Sequence, residues 1–177
     1  MTQQQTIDKD RSVVLIMDFQ NGIVGSPGIE DPEGVVKRAA MVLNGARSAR
    51  IPVIYIVHRG GQYAEASPAS EVHPGVAPSE GERIISKTKA GSFSTTGLDV
   101  LLREMGKDTL ILMGVATSGC VLSTMRWATD INYKVWVISD GCADRDPEVH
   151  RVLTEKIYPR QGTVMKAQEF VSMLGQR

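Results

Sequence analysis

Three side chains in this sequence could cooperate in attacking a carbonyl: Asp18, Lys87 and Cys120. A thiol becomes a nucleophile when it loses its proton, which nearby positive charge favours. A carboxylate within reach can take that proton and later return it to a leaving amine. Cys120 stands where a helical pattern begins. Unpaired backbone N–H groups and the positive end of the helix dipole would favour its thiolate there, and a nearby lysine would favour it further. The same N–H groups could steady an oxyanion. Taken singly, each residue has a plainer use. An acid at a strand end often caps a loop, most lysines are solvated surface charges, and one cysteine is more often a small buried hydrophobe. Their joint placement is what carries weight.

That placement comes from the elements around them. SVVLIMD (12–18) is a nearly continuous apolar run stopped by an acid, as expected of a strand buried on both faces. IPVIYIVH (51–58), RIISK (83–87), TLILMGV (109–115) and KVWVISD (134–140) read as four further strands, and TVMKA (163–167) as a sixth. Asp18 ends the first strand, Lys87 ends the third, and Cys120 lies just beyond the fourth. Helical patterns fall between them. Residues 34–50 carry a stripe of Val36, Ala39, Ala40, Leu43 and Ala46. Residues 98–105 end at Gly106, and 117–132 repeat Val121, Met125, Ala128 and Thr129 at helical spacing. A helix over 147–158 opens with Pro147, and a short C-terminal helix follows the sixth strand. Residues 59–82 are rich in Gly, Pro and Ser without a period, a long loop of the kind that often forms a lid or binding element.

Such alternation predicts an α/β chain with three α/β/α layers, a six-stranded mostly parallel sheet and a single domain spanning 1–177. In such sheets, sites form beyond the carboxyl ends of the strands, where strand order reverses. Asp18, Lys87 and Cys120 all fall on that rim.

Composition narrows the function. Twenty basic and twenty acidic residues cancel, so no whole-chain field recruits nucleic acid or an anionic membrane. The opening MTQQQTIDKD lacks the apolar core of a signal peptide, and no apolar run approaches the ~18 residues that span a bilayer, so the expected location is cytoplasmic. No Gly-rich nucleotide-binding loop follows a strand. Cys142 reads as a loop residue between Asp140 and Asp144, whose charges would raise its pKa. Trp127 and Trp136 read as core or interface residues, and His150 as packing.

The motifs around the three residues resemble one family. DFQNGIV after the first strand, K-x5-F from Lys87 to Phe93, GVATSGCV from Gly114 to Val121, and SDGCAD after the fifth strand are similar to the isochorismatase-like cysteine hydrolases, over about residues 12–170. The resemblance implies a six-stranded parallel sheet with flanking helices and an Asp–Lys–Cys triad at Asp18, Lys87 and Cys120. Lys87 is preferred to Lys89 because the family's lysine lies six residues before the Phe, here Phe93. It implies attack of the Cys120 thiolate on an amide-like carbonyl, an oxyanion hole from the N–H groups of Ala116 and Cys120, and a thioester released by water. It also implies a cis Val115–Ala116 bond, which would aim the Ala116 N–H into the cleft. Gln20 and Phe93 are candidate substrate-binding residues, and either could instead serve packing. Family members are typically dimers or larger, so a homo-oligomer, dimer or tetramer, is expected.

Departures from the pattern matter as well. The nicotinamidase branch binds a divalent metal through Asp-x-His and a further His. This chain has only His58, His73 and His150, and Glu71-Val72-His73 is a poor imitation without a second ligand at suitable spacing. No metal and no cofactor are therefore expected. Cys120 points to C–N hydrolysis of a small molecule, because true isochorismatases often lack the cysteine and cleave a vinyl ether through the Asp. That ether hydrolase and a catalytically silent binding protein are the two alternatives.

Overall fold

The computed structural model describes residues 6–175. Six strands make one sheet: β1 (Ser12–Met17), β2 (Val53–His58), β3 (Arg83–Lys87), β4 (Thr109–Val115), β5 (Lys134–Ala143) and β6 (Thr163–Met165). Their spatial order is β3-β2-β1-β4-β5-β6, and every neighbouring pair is parallel. The helices are α1 (Asn21–Val24), α2 (Pro32–Ser48), α3 (Leu98–Glu104), α4 (Leu122–Asp130), α5 (Pro147–Val152) and α6 (Ala167–Gly175).

Two apolar layers sandwich the sheet. Val14 and Ile16 of β1 face a cluster that includes Val36, Ala39 and Leu43 of α2 and Phe170 of α6. Val13, Leu15 and Met17 face the other cluster, with Leu98 and Leu102 of α3 and Met125 and Ala128 of α4. This two-sided burial is why β1 reads as an uninterrupted apolar run rather than an alternating one. The α/β/α architecture follows.

Most boundaries agree with expectation, and the differences have physical causes. β1 stops at Met17 because Asp18 takes a left-handed backbone, φ 58°, a conformation that Asp tolerates better than most residues. The helix expected over 34–50 begins at Pro32, with the Asp31 carboxylate accepting the Gly34 N–H as its cap. Its buried face also includes Val35 and Val42, whereas Ala40 is only partly covered. β5 runs on to Ala143, so Cys142 belongs to a strand and not to a loop. The helix expected over 147–158 loosens into a π turn at Leu153–Ile157 and a 3-10 turn at Tyr158–Arg160. Residues 59–82 form no strand or α-helix, but three 3-10 turns shape them, and Tyr63, Ser70 and Val76 are buried. Among the described residues no helix is long and apolar enough to cross a membrane.

The strand order fixes where a site can form. β1 is central, with β2 on one side and β4 on the other, so crossovers leave it in opposite directions. The chain ends of β1 and β4 therefore flank an uncovered crevice.

Candidate active site

Asp18 occupies that crevice directly after β1, its N–H bonded to the Ile56 carbonyl of β2 at 2.8 Å. Lys87, the last residue of β3, reaches across β2 and donates from Nζ to Asp18 Oδ2 at 2.7 Å. Nζ also donates to the Lys89 carbonyl at 3.1 Å. The expected choice between the two lysines is visible in their surroundings: Lys87 is 1% exposed, whereas Lys89 lies in solvent. The other oxygen of the carboxylate, Asp18 Oδ1, is buried and has no hydrogen-bond partner.

Cys120 sits on the far side of Asp18, 3% exposed, in a π turn (Thr117–Val121) joining β4 to α4. Its thiol points at the Ala116 carbonyl, Sγ to O 3.6 Å. The Val115–Ala116 peptide leading into the turn is cis. Gly114 is required beneath it, since a Cβ there would lie 2.9 Å from Cys120 Sγ.

The electrostatics differ from the sequence expectation on one point. Burial pushes the Cys120 thiol well up, the charge of Asp18 adds to this, and Lys87 opposes it only in part. The resting sulfur is therefore a thiol, and the helix start and lysine do not make it a standing thiolate. Burial also raises Asp18, against the pull of Lys87, His58 and Cys120. The opposed effects of Asp18 and Cys120 on one another place them in one interacting group. His58, at the end of β2, is held neutral by burial and by the charge of Lys87.

Three hydrogen bonds back the turn, and spacing in the sequence signals none of them. Asp144 Oδ2 accepts the Ser118 N–H at 2.7 Å. Tyr158 donates its hydroxyl to the Thr117 carbonyl at 2.6 Å. His150 Nδ1 pairs with Thr117 Oγ1 at 2.8 Å, so this residue does more than pack. The partners lie 26, 41 and 33 residues apart.

The two candidate substrate-binding residues, Gln20 and Phe93, both make contacts within the frame. Gln20 is fully buried, with Nε2 donating to the His58 and Ser70 carbonyls at 3.1 and 2.9 Å and Oε1 accepting the His58 N–H at 2.6 Å. Both amide hydrogens are spent, so Gln20 clamps the loop to the sheet and has no free donor to offer. Phe93 is buried against Tyr133 and stacks on Trp127, ring centroids 6.5 Å apart. Trp127 itself is half exposed.

No group of three or more His, Cys, Asp or Glu is gathered to hold a metal among the described residues. His73 is used locally, its Nδ1 accepting the Gly75 N–H. Cys142 is pushed up to about 12, mainly by burial and only secondarily by Asp140. The acids flanking it in sequence are thus the lesser cause.

Residues 12–169 match the isochorismatase domain family. The chain is 30% identical over 182 residues to an uncharacterized isochorismatase family protein, YecD, of Escherichia coli O157:H7, covering 92% of this chain and 96% of that one. It superposes on an isochorismatase family protein from Burkholderia thailandensis with TM-score 0.86 and 28% identity, covering 97% and 98%. It superposes on N-carbamoylsarcosine amidase from Thermoplasma acidophilum with TM-score 0.77 and 26% identity, covering 89% and 96%.

Proposed function

Because the chain belongs to the isochorismatase family of hydrolases, we propose that it hydrolyses the C–N bond of a small amide or carbamoyl compound, with Cys120 as nucleophile. The observation that carries this reading is the unequal use of the two Asp18 oxygens. Oδ2 is held by Lys87, while Oδ1 is buried without a partner beside a protonated thiol. A buried acceptor with no donor is costly to keep, and such groups cluster where chemistry needs them.

The steps follow from that arrangement. Asp18 Oδ1 takes the thiol proton as Cys120 Sγ attacks the substrate carbonyl carbon, and the Lys87 ammonium keeps the carboxylate ionised until then. The oxyanion is received by the N–H groups of Ala116 and Cys120. Asp18 returns the proton to the leaving nitrogen, the C–N bond breaks, and ammonia or an amine departs. A water then gives a proton to Asp18 and adds to the thioester. Collapse frees the acid, and the proton returns to Sγ. The thiol supplies the nucleophile itself, so the sequence of steps calls for no metal-activated water and no cofactor.

Likeness to an amidase supports C–N over ether cleavage. The deciding experiment screens primary amides and N-carbamoyl compounds for ammonia release, with the wild type and Cys120→Ala side by side. The wild type is expected to release ammonia, the variant to be silent, and an acyl adduct to appear on Cys120 by intact mass. A variant that releases ammonia like the wild type would remove Cys120 as nucleophile, and cleavage of a vinyl ether by both proteins with no ammonia from either would mean an Asp18-driven ether hydrolase instead.

A further inference from the structure

Cys142 is a second buried thiol beside the site, and the mechanism above does not use it. We propose that it is a resolving thiol: once a peroxide has oxidised Cys120, Cys142 closes a disulfide with it and spares the nucleophile from further oxidation.

The placement of the two sulfurs carries this. Gly114 of β4 is the ladder partner of Cys142 of β5. Partners on adjacent parallel strands project to the same face, and Cys142 belongs to the same apolar cluster as Leu110, Leu112 and Cys120. At position 114 there is no side chain to fill the space between them. A Cβ built there would lie 2.9 Å from Cys120 Sγ. Neighbouring strands stand about 4.8 Å apart, so the Cys142 Cβ lies roughly that far from the same point. Cys120 Sγ therefore lies directly against Gly114, where Met17 also packs, and Cys142 stands beside the same residue on the next strand. Their charges register this closeness: Cys142 acts on the Cys120 thiol, and the buried Tyr158 hydroxyl feels both.

An irregularity in β5 produces this alignment. Leu112 pairs with Val137, yet Gly114 pairs with Cys142, so residues 138–141 are accommodated opposite the single Met113. Bulges of this sort re-aim a side chain next to a site. Without it, residue 139 and not 142 would stand beside Gly114. Cys142 also borders a cavity of about 240 Å³ that it shares with Asp144, His150 and Arg38.

The chemistry balances with a peroxide as oxidant. Cys120 Sγ attacks one peroxide oxygen, the O–O bond breaks, and the departing oxygen takes up the thiol proton by way of Asp18, leaving a sulfenic acid and water. Cys142 Sγ then attacks the Cys120 sulfur. The S–O bond breaks, an S–S bond forms, and hydroxide leaves with the Cys142 proton as a second water. The two thiols supply the two electrons that reduce the peroxide. A dithiol reductant reverses the product.

The test is intact mass after brief exposure of the whole chain to hydrogen peroxide, so its outcome does not depend on which substrate Cys120 attacks. The wild type should become lighter by two hydrogens, with tryptic peptides 108–126 and 135–145 linked, and should regain its original mass in dithiothreitol. A wild type that instead gains oxygens on Cys120 while Cys142 stays alkylatable after unfolding would overturn the proposal. A folded Cys142→Ala variant should accumulate two added oxygens that dithiothreitol does not remove. Recovery of that variant equal to the wild type would also overturn it. Should the variant fail to fold, the wild-type masses alone decide.

Discussion

At position 120 burial and the charge of Asp18 hold a thiol in its neutral form, and this shapes what pH should do. Alkylation of Cys120 by iodoacetamide is expected to keep rising through the ordinary thiol range without levelling near neutrality. Asp18→Asn should move two readouts in opposite directions. Alkylation at a given pH should speed up, because a like charge is gone and Lys87 remains, whereas turnover should fall by about 10²–10⁴ with loss of the proton acceptor. Equal slowing of both would remove Asp18 from the role of base. The acid limb of kcat/KM should lie above the usual carboxylate range, because burial raises Asp18 and protonation on acidification removes the acceptor. Breaking the buried pair with Lys87→Met should destabilise the fold by about 3–5 kcal/mol in urea titrations, since Asp18 loses its compensating charge. Much at this scale was legible in the sequence. The rule that sites gather beyond strand ends singled out Asp18, Lys87 and Cys120 before any contact was known. Asp144, Thr117 and Tyr158 were not legible. Their bonds join residues tens of positions apart, and no local spacing encodes such a meeting.

Among the elements, β3 and β4 have the bounds that their apolar runs predict, while the segment joining β4 to α4 does not behave as a plain helix start. Periodicity reports which face is buried, and a single π turn, wound slightly less per residue than an α-helix, leaves that pattern nearly intact. The irregularity in β5 left a different trace: Ser139 and Asp140 interrupt the apolar run, so the strand reads as ending at Asp140, although the chain continues in it to Ala143. Of the two uses open to Gln20, substrate contact or packing, its hydrogen bonds display the second: it fastens one element to another. It ties the end of β1, the end of β2 and the turn at Ser70. Gln20→Ala should leave those backbone groups without partners, at about 1–3 kcal/mol for each one that water does not reach. Hydrogen exchange should then quicken at His58 and around residues 70–73, with β4 unchanged. Uniform exchange across the whole sheet would mean that the clamp acts globally and not on the loop alone.

For the molecule as a whole, the groups that resist ionisation set an alkaline limit to stability. Cys142 is pushed from 9.0 up to about 12, and Tyr55 and Tyr133 from 10.0 to about 12, burial leading in each case. In that window the unfolded chain gives up protons that the folded chain keeps, so stability must fall as pH rises. Denaturant midpoints should therefore drop steadily between pH 9 and pH 12, and Cys142→Ala should flatten part of that slope. A flat wild-type profile would contradict the burial of these groups. The three-layer architecture was legible from strand–helix alternation, but the order of the strands was not, because each apolar run suits either neighbour equally well. That order has a consequence for how the protein is made. β1 is synthesised early yet lies at the centre of the sheet, and its second partner, β4, follows some ninety residues later. Until the ribosome has delivered β4, one edge of the most apolar strand stays unpaired, an invitation to stray association during translation. Output in a cell should therefore depend on chaperones that shelter such edges, and slowing elongation between residues 18 and 109 should lower the yield more than slowing it after residue 143.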